Sequence, residues 1–202
     1  SGGTIEELDP VRYISNYSSG KMGLALADEA FKNGDEVVLV TTKEVERSYK
    51  VVKVKSALEM QNAVNNEFDT ANVIIMAAAV ADYRAKNVAP QKMKKTSSDE
   101  ITIELVKNPD ILKELCDKKA SCQNPPVIVG FCAESENLLN NAKEKIQKKG
   151  CDFLVANDIS RKDIGFSSDY NEVTILDKNG NATKLERATK TEIARLILDY
   201  IK

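Results

Sequence analysis

A chain of 202 residues can bury a sizeable core in one domain, and 42% hydrophobic with 30% charged residues is an ordinary globular composition. Its formal net charge of −2 gives no whole-molecule field to gather nucleic acid or anionic lipid, so any anion site must be built from locally placed Lys and Arg. No apolar stretch approaches the roughly 20 residues that span a bilayer, and the opening residues do not resemble a secretory leader.

In chain order, Ser1–Thr4 reads as a loop. A phosphate-binding loop at a sheet edge ordinarily follows a strand, so a first strand is expected upstream of Ser1. Met22, Leu26 and Ala30 at four-residue spacing predict a helix after Gly20. Glu36–Thr41 and Lys50–Val54 predict strands, and Ser56 with Glu59 forms a capping box for a helix bearing Ala57, Met60, Val64 and Phe68. Val73–Ala78 and Ile101–Val106 predict further strands. Asn108 followed by Pro109 reads as an N-cap and first helical residue leading into Ile111, Leu112 and Leu115. Val127–Phe131 and Asp152–Ala156 are near-continuous apolar runs suited to strands covered on both faces. Between them Leu138, Ala142 and Ile146 stripe a helix that Gly150 ends. The pattern then changes. Val173–Leu176 and Thr183–Glu186 flank an Asn179-Gly180 hairpin turn, and Thr189 with Glu192 caps a last helix of Ile193, Leu196, Ile197, Tyr200 and Ile201. This predicts a single α/β domain over 1–202: a Rossmann-like, doubly wound, mainly parallel sheet with a late antiparallel hairpin appendage.

The chain has no histidine, which excludes Ser–His–Asp and Cys–His nucleophile systems, a histidine base and most zinc sites. Cys116, Cys122, Cys132 and Cys151 form no Cys-x-x-Cys pair and read as reduced thiols, which favours the cytoplasm. The chemistry must therefore come from amides, carboxylates, ammonium groups and backbone dipoles. Ser18-Ser19-Gly20 leads straight into a helix, where backbone N–H groups and the helix dipole favour an anion; an ordinary N-cap would look the same. Neither a Walker-type phosphate loop nor a G-x-G-x-x-G fingerprint is present. Ala77-Ala78-Ala79 at a strand end permits close approach of a flat ligand or of a packed helix, and Asp82 places a carboxylate at the rim. From Arg84 to Lys95 there are five cations and no carboxylate, which suits either a solvated loop or one that closes on a triphosphate. Gly130 and Phe131 end another strand, and the following helix carries Lys143, Lys145, Lys148 and Lys149.

These segments, in this order, resemble the phosphopantothenate–cysteine ligase family. The resemblance runs through Ser1–Thr4, the fifteen-residue block Asp9–Gly23, Ala77–Arg84, Lys92–Lys95, Asn108–Leu112, Val129–Glu134 and Val155–Asp158. It covers nearly the whole chain and is closest to the bacterial branch, in which this domain commonly forms the C-terminal half of a bifunctional protein. The other half there is a flavin-dependent decarboxylase, so no flavin is expected in this domain. Met93, Cys132 and Ser135 depart from the Ile, Ala and Thr that the resemblance leads one to expect.

The resemblance implies a two-step reaction on three small-molecule substrates: CTP, 4′-phosphopantothenate and L-cysteine. The phosphopantothenate carboxylate attacks the α-phosphate of CTP and releases pyrophosphate. The cysteine amine then displaces CMP from the acyl-cytidylate. It implies that Asn16 orients the acyl-cytidylate, that Lys92 contacts the triphosphate, and that Ala77, Ala78, Asp82, Gly130, Phe131, Lys145 and Lys149 line the nucleotide site. Ser18, Ser19 and Gly20 would offer N–H groups to phosphate. Mg2+ is expected with the nucleotide and held by phosphate oxygens, with no protein metal site, and a homodimer is expected. A nicotinamide-dependent oxidoreductase would need the missing glycine fingerprint and an acid closing the second strand, where Val40-Thr41-Thr42-Lys43 stands. An RNA-binding module would need stacking aromatics, which are only 5% of residues, with no tryptophan.

Overall fold

The computed structural model describes residues 1–94, 100–160 and 168–202. Ser1–Thr4 is not a free loop. The Ser1 amine donates to the Val40 carbonyl at 2.6 Å and the Thr42 N–H to the Ser1 carbonyl at 3.2 Å. On the other side the Ala79 N–H donates to the Gly2 carbonyl and the Thr4 N–H to the Ala79 carbonyl, a parallel bridge between Gly3 and Ala79. The chain then makes an antiparallel hairpin from Ile5–Asp9 (β1) and Arg12–Ser15 (β2), which the sequence pattern did not announce. The reason is polar burial: Glu6 and Asp9, at 3% and 1% exposure, occupy the inward positions where an apolar alternation would be sought.

Gly20, at φ 77°, turns the chain into the helix Lys21–Lys32 (α1). Val38–Thr41 (β3) and Lys50–Lys53 (β4) pair in parallel. The expected capping box opens Ala57–Glu67 (α2), with the Glu59 N–H donating to Ser56 Oγ at 3.2 Å. A second acceptor comes from far away, as Glu6 Oε1 receives the Ala57 N–H at 2.9 Å. Val73–Met76 (β5) follows, then Tyr83–Ala85 (β6) paired antiparallel with Leu105–Lys107 (β7). The strand predicted over Ile101–Val106 is thus shorter and later, because the ladder with β6 covers Leu105–Lys107.

Ile111–Lys119 (α3) is capped by Asp110, whose side chain accepts from the Lys113 N–H, and not by Asn108 as expected. Asn108 instead ties down the turn before β6: its Nδ2 donates to the Ala81 carbonyl, and its N–H to the Asp82 carbonyl. Val127–Glu134 (β8), Leu138–Lys149 (α4) and Phe153–Asp158 (β9) come next, α4 ending as predicted at Gly150 with φ 77°. Tyr170–Asp177 (β10) and Ala182–Thr189 (β11) form the predicted hairpin, and Lys190–Ile201 (α5) closes the fold under its Thr189 cap.

The central sheet is five-stranded in the order β11-β10-β9-β8-β5, with β5, β8 and β9 parallel and β10 and β11 antiparallel. The late hairpin is therefore continuous with the sheet, not an appendage beside it. Alternation along the strands divides the core in two, as the two-residue period of a strand requires. Ile74, Ile128, Leu154 and Leu176 face α2, α3 and α4 through Met60, Leu115 and Ile146. Val129, Val155 and Ile175 face α1 and α5 through Leu26, Ile193 and Ile197. This is a mixed α/β fold with helices on both faces.

Between the facing edges of β3 and β5, where among the described residues only Ser1–Thr4 pairs with both sides, lies a trough of about 710 Å³. Val38–Val40 and Val73–Met76 wall it, Met60 and Val64 cover one face, and Leu26 and Ile201 cover the other.

Candidate functional site

At the carboxyl ends of β5 and β8, opposite the start of α1, lies a cavity of about 140 Å³. Crevices outside the carboxyl ends of parallel strands are where open α/β sheets bind ligands. Three segments read from the sequence converge here: Ser18–Gly23 at the mouth of α1, Ala77–Ala79 beyond β5, and Phe131–Ala133 on β8. The first-turn N–H groups of α1 have no partner within the helix and bring the positive end of its dipole to the cavity. Gly20 is required there twice over. Its φ of 77° is left-handed, and a Cβ would come within 3.0 Å of Lys43 Cγ and 3.3 Å of Ser1 Oγ.

The other wall holds residues that sequence reasoning did not assign to the site: Asn157 from β9, Asn171 from β10 and Lys190 at the start of α5. Asn171 is 1% exposed, and its Nδ2 donates to Asn157 Oδ1 at 3.0 Å, which fixes both amides. Lys190 is 6% exposed; burial, and then the charge of Lys21, bring its ammonium down to about 8 against the opposing pull of Asp169. The only sequence signal was Asn157 at a strand end. Lys190 looked like any helix-start lysine, because its burial depends on β10 and α1 packing around it.

Asn16 is exposed beside this cavity, and its Nδ2 donates to the Ala79 and Val80 carbonyls at 3.2 and 3.3 Å. It thus joins the α1 approach to the end of β5. Close approach is built in, since a Cβ on Gly3 would lie 2.8 Å from the Asn16 carbonyl oxygen. Of the other predicted residues, Ser18, Ser19, Gly20, Ala77, Ala78 and Phe131 line the cavity, while Asp82 is exposed in the turn ahead of β6. Gly130 is buried, and its missing side chain makes room for Leu112 of α3, whose Cδ2 would be 2.6 Å from a Cβ there. Its clearance serves helix packing; the close approach expected there is made by α3.

The lysines expected at the nucleotide are placed in two ways. Lys145 and Lys149 share one face of α4, paired respectively with Glu134 and with Asp110, the cap of α3. Burial would raise the Glu134 carboxyl, but Lys145 and a hydrogen bond from Asn141 outweigh it and hold it below its usual range. Lys92 and Lys94 are exposed on the segment after β6, while Lys95 lies outside the described residues. Arg84 and Lys86, counted with the same basic run, are taken up locally by the Lys107 carbonyl and by Glu104. Cys132 lines the cavity, but burial pushes its thiol up to about 11, so it is no nucleophile near neutral pH. All four cysteines are free. Among the described residues, no helix is long and apolar enough to cross a membrane.

Residues 1–202 match the family described as the DNA/pantothenate metabolism flavoprotein C-terminal domain. The chain is 44% identical over 207 residues to the coenzyme A biosynthesis bifunctional protein CoaBC of Escherichia coli strain K12, covering 100% of this chain and 50% of that protein. It is 40% identical over 202 residues to the bifunctional protein CoaBC of Borreliella burgdorferi, covering 98% and 50%. The chain thus spans about half the length of the curated relatives it matches. Among solved structures it resembles the C-terminal domain of CoaBC at 36% identity and a TM-score of 0.79, covering 100% of this chain and 90% of that one. It also resembles the DNA/pantothenate metabolism flavoprotein from Streptococcus pneumoniae at 25% identity and a TM-score of 0.80, covering 100% and 95%.

Proposed function

Because this chain belongs to the DNA/pantothenate metabolism flavoprotein C-terminal domain family, we propose that it is the ligase domain that joins 4′-phosphopantothenate to L-cysteine in coenzyme A biosynthesis. The observation that carries this reading is the meeting of the α1 N-terminus, the Ala77–Ala79 strand end and Phe131 in one cavity, with Asn16 fastened beside it. The two bifunctional relatives named above are coenzyme A biosynthesis proteins in which a matching domain makes up about half the chain, and this supports a fused decarboxylase half carrying the flavin chemistry.

In this reading the phosphopantothenate carboxylate attacks the α-phosphate of CTP, the α–β phosphoanhydride bond breaks, and pyrophosphate departs. The cysteine amine then attacks the acyl carbon of the mixed anhydride, loses a proton and expels CMP. A carboxylate must be activated before an amine can acylate on it, and neither step needs a histidine. Positioning and charge stabilisation suffice. The start of α1 with Lys190 and Asn157 suits a phosphate group. Lys92, Lys145 and Lys149 would meet the triphosphate, with Asp82 at its rim. Asn16 orients the acyl-cytidylate through its amide. Mg2+ would neutralise charge on the phosphates. Asp110 and Glu134 are already taken up by Lys149 and Lys145, so phosphate oxygens and water would hold the ion. Exposed Val11, Tyr13, Tyr17 and Tyr83 on and beside the β1–β2 hairpin suit a homodimer contact, and four free thiols suit a cytoplasmic setting.

The test is a two-stage assay on the purified protein. Pyrophosphate should be released from CTP only when phosphopantothenate is present, and CMP only after cysteine is added. Pyrophosphate release indifferent to phosphopantothenate would refute the assignment, and a parallel ATP titration decides the nucleotide.

A further inference from the structure

The exposed segment that carries Lys92 is fastened to the β1–β2 hairpin by a buried carboxylate. Asp9 is 1% exposed, and its Oδ1 accepts the N–H groups of Val11 and Arg12 at 2.8 and 2.9 Å. Its Oδ2 accepts from Arg12 Nε and Nη2 at 2.9 and 2.6 Å, and from the Met93 N–H at 3.1 Å. Arg12 Nη2 also donates to the Met93 carbonyl at 2.6 Å. The ion pair therefore grips both main-chain groups of one residue, as a neighbouring strand would. A second tie lies four residues earlier, where the Ala89 N–H donates to the Leu8 carbonyl at 2.9 Å.

Burial alone would raise the Asp9 carboxyl. The hydrogen bonds from Val11, Arg12 and Met93 and the charge of Arg12 outweigh it and bring it to about 2, so the grip holds throughout the neutral range. A surface ion pair would contribute little. Here the acid is fully enclosed and every donor is placed, which is the arrangement that fixes geometry.

We propose that Asp9, acting with Arg12 through the Met93 backbone, is a positioning residue that sets where the Lys92 ammonium meets the phosphates of the nucleotide. The nucleotide half of this statement rests on the ligase reading; the grip on Met93 does not.

Two readouts separate the halves. The first is the rate of tryptic cleavage after Lys92 in the native protein, referred to cleavage after Lys32 and Lys178. The second is KM for CTP against kcat for pyrophosphate release. Asp9→Asn should speed cleavage after Lys92 at least about tenfold, because loss of a local tie raises the population of open, cleavable segment. It should raise KM for CTP as Lys92→Ala does, and the double variant should be no worse than the worse single one. Arg12→Lys keeps the charge but cannot span Asp9 and the Met93 carbonyl with one planar fork. It should loosen the segment in the same direction, and it serves if Asp9→Asn does not fold. Unchanged cleavage after Lys92 in both variants overturns the proposal whatever the activity. Faster cleavage with KM moved by Lys92→Ala but not by Asp9→Asn overturns it too. If cleavage quickens and Lys92→Ala leaves KM unmoved, the nucleotide half is overturned while the grip on Met93 stands.

Discussion

In a polypeptide of residues 1–202 alone, the Ser1 amine takes a sheet position, donating to the Val40 carbonyl where a peptide N–H would stand in a longer chain. Burial lowers its pKa from 8.0 to about 5. The unfolded chain therefore binds a proton between those values that the folded chain refuses, and stability must rise with pH across that window. Below about 5 both states are protonated and the folded state carries the whole cost of the buried charge; above 8 both are neutral and the cost is gone. Three pKa units amount to about 4 kcal/mol in all, of which about 3 kcal/mol falls between pH 5.5 and 8.5. For a domain of this size that is a melting shift of roughly 6–12 °C.

Acetylating the α-amine removes the charge but keeps the N–H for Val40, and the trough beside it has room for the acetyl group. Thermal unfolding should be followed for the free and acetylated chains across this range. Carboxylates titrate alike in both, so the difference between the two curves isolates the amine. It should be near zero at pH 8.5 and favour the acetylated chain increasingly toward pH 5.5. Parallel curves would show that the amine is solvated in the folded state and refute the reasoning.

A peptide extension should act more strongly than an acetyl group. About five apolar residues placed ahead of Ser1 should enter the trough as a strand parallel to β3 and β5 and protect the Val38–Val40 and Val73–Met76 amides in hydrogen exchange; a mixed-charge extension of equal length should not. Asn16→Ala should leave pyrophosphate release nearly intact and slow amide formation on the order of a hundredfold in single-turnover assays, and an equal loss in both steps would remove Asn16 from the second. Because Lys190 titrates near 8 in the folded chain, against the 10.5 of an ordinary solvated lysine, a phosphate ligand should draw a proton onto it above pH 8. Calorimetry of phosphopantothenate binding in buffers of different ionisation enthalpy should show that uptake, and Lys190→Met should abolish it.

The parts of the fold legible in the sequence were those settled by neighbours in the chain. Ser56 with Glu59, Thr189 with Glu192 and the Asn179-Gly180 turn each rest on contacts a few residues apart, and each formed as read. The helix stripes and buried strands were legible because burial on two faces leaves runs such as Val127–Val129 nearly continuous. Asn108 misled because a cap-like residue before proline was needed elsewhere, to hold the Ala81–Asp82 turn, while Asp110 did the capping. In the site, the three segments lining the cavity were visible as small residues at element ends. Asn171 and Lys190 were not, because what sets them apart is burial in a cavity wall completed by α1, which lies 149 residues before Asn171 at Met22.

Glu6 has a wider consequence. Its carboxylate, at 3% exposure, accepts the Ala57 N–H at the mouth of α2, while Thr4 Oγ1 on the residue before β1 accepts the Ala81 N–H at 2.9 Å. The hairpin thus cannot lift from the body without stripping an acceptor from a helix start and another from the turn that leads to Asp82. Leu8 and Asp9 add the Lys92 segment to the same group. Four pieces of chain remote in sequence are thereby bound into a single opening unit. Lifting the hairpin strips all of them at once, so a ligand that stills the hairpin also slows exchange at the first turn of α2.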